Sequence, residues 1–130
     1  MPLSPCKAVI DRWLWPDVIR NQDISIAKAK KAITDYKRAI GQPEGLAELM
    51  VFFCERAAGF SANVGMDGDA WFDALLGMFE QALKTIDALP EDSRPQLLER
   101  LKSVRRTSHH FGYGVGEAMD HLLGLYGVDG

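Results

Sequence analysis

Residues 69–89 read DAWFDALLGMFEQALKTIDAL. Within them Phe72, Leu75, Leu76, Phe79, Leu83 and Ile86 recur at steps of three and four, the spacing of one face of an α-helix. Asp73, Glu80, Lys84 and Asp87 fall on the opposite side. Asp69 and Asp73 sit in the first turns, where carboxylates favour the helix dipole. Pro90 stops the helix. The stretch therefore predicts an amphipathic helix that starts at 67 or 69 and ends at 89.

The same period governs the rest of the chain. Upstream, Leu46, Leu49, Met50, Phe53, Cys54, Ala57 and Phe60 make a broad face over about 44–63. Ala47, Val51, Phe52 and Ala58 widen that face almost to the full circumference. A helix apolar on nearly all sides belongs in the middle of a bundle. A helix over about 24–40 carries the stripe Ile26, Ala29, Ile33, Tyr36 and Ile40, with Asp23 as its cap and Gly41 as its stop. A first helix starts at Ser4 with Pro5 in its first turn, buries Val9, Ile10, Trp13 and Leu14, and breaks at Pro16.

Downstream, Glu91, Asp92 and Ser93 cap a helix that runs to about 107 and buries Leu97, Leu98, Leu101 and Val104. A last helix over about 115–126 turns Ala118, Met119, Leu122 and Leu123 inward and ends at Gly127. No run alternates with the period of a strand. Residues 1–130 are thus expected to be one all-α domain of six to seven helices, packed as stacked helical hairpins or as an irregular bundle.

Composition narrows the function classes. A hydrophobic content of 47% suits a folded core and not a disordered chain. The net charge of −3 gives no general attraction to nucleic acid or anionic lipid. Its distribution is uneven. Residues 1–42 hold eight basic and four acidic side chains, and residues 43–98 hold three basic and ten acidic ones. Either the basic helices pack against acidic neighbours or they present a basic surface. Lys7, Asp11 and Arg12 interrupt any signal-peptide pattern, and no apolar run nears the roughly 20 residues of a membrane span. Two cysteines, Cys6 and Cys54, read as reduced core thiols and not as a disulfide framework. The expected setting is cytoplasmic, without a membrane partner.

Three stretches carry a resemblance: FFCERAAGFSANVGMDGDAWFDALLGMFEQALKTI (52–86), LPEDSRPQLLERL (89–101) and FGYGVGEAMDHLL (111–123). Together they resemble an uncharacterised helical region found in bacterial proteins alongside SWIM-type zinc fingers, over about residues 46–123. The resemblance implies an interaction-type helical array with no catalytic residue to carry over. The CxC…CxH set of the finger is absent from this chain, so no zinc is implied from that source.

Chemistry-bearing patterns are few. His109, His110, Glu117 and His121 form the one metal candidate, because Glu117 and His121 share a helix face and the histidine pair could fold back toward them. The plainer reading is exposed histidines in a polar turn. Gly112, Gly114 and Gly116 precede a helix, but neither a Walker order nor a preceding strand accompanies them. Asn63, Asp67, Asp69 and Asp73 lack the order of a calcium loop and read as caps. Cys54 lies in the most apolar helix, where a thiolate is costly. These patterns predict no enzyme and no cofactor.

Surface chemistry offers more. Lys28, Lys30, Lys31, Lys37 and Arg38 form the strongest basic feature. Arg100, Arg105 and Arg106 would extend it if they lay nearby. Trp15 precedes Pro16 and Trp71 falls off the stripe of its helix; exposed, they would mark a partner surface, and the plainer reading is packing between helices. The sequence therefore points first to a helical protein-interaction or scaffold domain, with the chain itself among the candidate partners. The alternative is a nucleic-acid accessory protein that uses the basic face of the second helix.

Overall fold

The 69–89 stretch is helical as the spacing demands, although the helix closes at Asp87 and both Leu76 and Glu80 are half-buried. In the computed structural model it is an α-helix over Asp69–Asp87, with Phe72, Leu75, Phe79, Leu83 and Ile86 buried and Asp73, Lys84 and Asp87 exposed. The structure describes residues 3–14, 22–60, 69–107 and 115–127. Of Gln22, Asp23, Phe60, Asp69, Ala70 and Trp71 it describes the backbone but not the side chain. The described residues form six α-helices: α1 (Leu3–Trp13), α2 (Gln22–Arg38), α3 (Pro43–Phe60), α4 (Asp69–Asp87), α5 (Pro95–Thr107) and α6 (Val115–Leu125), with a 3₁₀ turn over Glu91–Ser93. Among the described residues there is no strand, and no helix is long and apolar enough to cross a membrane.

The helices stack in three layers of two. α3 and α4 pack most extensively on each other and form the middle layer. α1 and α2 pair on one side of them. On the other side α5 lies chiefly on α3 and α6 chiefly on α4. This matches stacked hairpins for the first two layers; α5 and α6 rest on the middle layer more than on each other. The central place of α3 follows from its girth of apolar side chains. Ala47, Leu49, Met50, Val51, Phe53, Cys54, Ala57 and Ala58 are all buried. Truncating a sealed core residue such as Leu75 or Phe79 to alanine should cost about 3–5 kcal/mol.

The joint between α2 and α3 departs from the sequence reading. The apolar period continues to Ile40, but the helix ends at Arg38 and Ile40 stands 87% exposed with φ of 60°. The cause lies in Tyr36. Its ring fills the space beside Gly41 and Gly45, where an added Cβ would meet Tyr36 Cε1 at 2.2 Å and Tyr36 Oη at 2.0 Å. The chain reverses beneath that ring, and Ile40 takes the left-handed conformation expected of Gly41. A β-branched residue there is strained by about 1–3 kcal/mol. At its other end α2 begins at Gln22, two residues before the expected start at 24.

Other ends follow simple chemistry. Pro43 occupies the first position of α3, where a missing N–H costs nothing. Arg94 closes α4 by donating from Nε to the Leu89 carbonyl and from Nη2 to the Asp87 carbonyl, both at 2.8 Å. Gly127 ends α6 with φ of 69°, as its sequence position predicts.

Candidate functional site

Two seams of α1 concentrate the chemistry. One faces α3. There Lys7 of α1 donates to Glu48 at 3.0 Å. Arg100 of α5 donates to Glu48 and, from Nε at 3.1 Å, to Glu55. Glu48, Phe52, Glu55 and Arg56 share one side of α3 because they are spaced by four, three and one. Lys7 and Arg56 lie over the Phe52 ring at 5.5 and 4.9 Å. Asp11 Oδ1 and Arg56 Nε approach to 2.8 Å, sealed from solvent, at angles short of a hydrogen bond. Three cations thus meet three carboxylates around one aromatic ring. Hydrogen bonds to Glu55 and then Glu48 raise the Arg100 pKa against the opposing cost of burial. This seam pins all three layers together.

The second seam is the outer side of α1 and α2. Pro5, Cys6 and Val9 of α1 and Ala32 of α2 line a groove of about 330 Å³, and Lys28, Lys31 and Asp35 edge it. Among the described residues none of α3 to α6 lines it, so it opens away from the core. Val9, assigned by its spacing to the buried face, is 39% exposed here. Ile10 and Leu14 are buried as expected, and Cys6 joins them. Trp13 is half-buried, with the Lys28 ammonium 5.9 Å from its ring centroid. Lys31 pairs with Asp35 at 2.9 Å. Among the described residues no carboxylate pairs with Lys28. Burial pushes the Cys6 thiol up, and Asp35 adds to the rise while the N-terminal ammonium opposes it. Neither thiol is thereby activated, since burial also drives Cys54 well above the ordinary range.

The basic side chains of α2 divide between two flanks. Lys28, Lys31 and Arg38 lie on the groove side with Asp35, and Lys30 and Lys37 lie on the other. Lys28, Lys31, Lys37 and Arg38 are exposed and Lys30 is half-buried. Arg100 and Arg105 of α5 do not extend this surface. Arg100 is engaged by Glu48 and Glu55, and Arg105 donates to both oxygens of Asp120 at 2.7 Å, its guanidinium lying against Gly116. That pair lowers the Asp120 pKa and raises that of Arg105.

Glu117 and His121 are exposed one turn apart on α6, while His109 and His110 lie outside the described residues. Among the described residues no group of three or more metal-ligating side chains occurs. Trp15 lies outside the described residues, as does the Trp71 side chain. Sequence reasoning missed the groove, since its lining residues look unremarkable one helix at a time. The signal available was Pro5, Val9 and Trp13 at steps of four along α1. Comparison with protein-family models, curated proteins and solved structures returns no match.

Proposed function

We propose that this chain is a non-catalytic interaction domain that holds an aliphatic-bearing helical segment of a partner protein in the groove between α1 and α2. The observation that carries the reading is an apolar, solvent-open groove on the outer layer of a helical stack. The terminal layer of such a stack ordinarily turns a polar face outward. Here Val9 and the half-buried Trp13 remain available instead. A groove between two helices accepts a third through interdigitating side chains at i and i+4.

A second reading draws on the exposed Lys28, Lys37 and Arg38, which could meet nucleic-acid phosphates. The pairing of Lys31 with Asp35 and of Arg100 and Arg105 with their carboxylates weighs against it.

Selection from a displayed peptide library tests the first reading. Recovered peptides should carry aliphatic residues at helical spacing. Val9→Asp should weaken them at least about tenfold while leaving helicity intact. Peptides indifferent to Val9→Asp, or none at all, would reject the groove as the site.

A further inference from the structure

We propose that the segment held in the α1–α2 groove is an acidic amphipathic helix, with aliphatic side chains entering beside Val9 and Ala32 and a carboxylate set against Lys28. The proposal rests on the groove being a partner site and adds the chemistry of the partner.

Charge at the rim selects the sign. Lys31 is answered by Asp35 at 2.9 Å, whereas the Lys28 ammonium rests over the Trp13 ring with no described carboxylate beside it. Among the described residues the rim therefore carries an excess positive charge, and Arg38 continues the same flank of α2 toward its C-terminal end. A basic segment would be repelled, and a neutral one would gain nothing from Lys28. A carboxylate there would complete a pair that the ring alone leaves open.

The lining selects what lies between the charges. Val9, Ala32 and Cys6 offer no hydrogen-bonding oxygen or nitrogen from their side chains, so a polar group in the groove would lose its hydration without replacement. Aliphatic side chains suffer no such loss. The reach of the site sets the length. Lys28 to Asp35 spans about 10 Å of α2, which is about two helical turns. A helix lying along that seam presents anchors at i and i+4, with acids one position to either side of them. A nucleic acid would satisfy Lys28 but leave the apolar floor empty and bring phosphate against Asp35.

Two synthetic helical peptides test this, identical in their leucines, one with glutamates and the other with lysines at the flanking positions. Each is titrated into the full chain, with chemical shifts and heat recorded. The glutamate peptide should bind at least tenfold tighter, shift the amides around Val9, Lys28 and Ala32, and weaken with added salt. Lys28→Glu should reverse the preference, and Lys28→Gln should level it. Equal binding of both peptides, with loss on Val9→Asp, would overturn the acidic partner and leave the groove reading standing. If neither peptide binds, the groove reading falls with it. Single-stranded DNA that binds through Lys28 and ignores Val9→Asp would overturn the proposal in favour of nucleic acid. Self-association abolished by Val9→Asp would overturn it in favour of a second copy of the chain.

Discussion

The two seams of α1 use the same ingredients to opposite ends. Toward α3, Phe52 lies under two cations and every cation around it faces a carboxylate. Toward the outside, Trp13 lies under one cation that faces none among the described residues. The inner seam is filled by side chains; the outer one leaves about 330 Å³ open. The presence of lysines and aromatic rings therefore distinguishes nothing. What separates a structural clasp from a candidate site is whether the charges are answered and the apolar space is filled.

That contrast can be broken most forcefully by packing. Ala29 and Ala32 sit three residues apart on α2, the first sealed and the second at the groove. Ala29→Leu should cost about 1–3 kcal/mol in urea unfolding, because no space exists for the added carbons. Ala32→Leu should stay within about 0.5 kcal/mol of the parent, because the groove accepts them. Equal losses would mean that the groove is not open space.

Charge gives the next effect. Arg100→Met leaves Glu48 and Glu55 half-buried without their shared cation and should cost about 2 kcal/mol. Lys28→Met, with no described carboxylate to abandon, should change stability by less than about 0.5 kcal/mol. If Lys28→Met costs as much as Arg100→Met, the outer seam is a clasp like the inner one.

The smallest effect calibrates both. Arg105 and Asp120 make a two-point pair, but Asp120 is half-exposed, so solvent screens it. Its pKa lies below the ordinary 3.8 in the folded chain, so its contribution is complete above that value and disappears as the pH falls through the lowered one. Asp120→Asn should lose about 0.5 kcal/mol at neutral pH and converge with the parent in acid. A much larger loss would show that exposed pairs in this protein count for more than solvent screening allows.

The helices were legible because each carries its own period, and α3 declared its central place by being apolar on nearly every side. Ile40 was misread since periodicity alone cannot register where a neighbouring ring turns the chain. Val9 was misread because a stripe fixes a direction on one helix, not the width of what lies opposite. The clasp was invisible for a related reason: Lys7, Glu48 and Arg100 are separated by 41 and 52 residues, and only the layering brings them together. Arg100 accordingly read as a possible extension of the basic face of α2 when its counter-charges are on α3.

The placement of the two cysteines gives the molecule a built-in clock. Cys6 borders the outer groove but is only 4% exposed, and Cys54 is sealed in the central helix. A thiol reagent meets the first when α1 parts from α2 and the second only when the middle layer comes undone. The order of labelling thus records the order in which the layers come apart. An occupant seated over Cys6 would slow the first event and leave the second to the stability of the core.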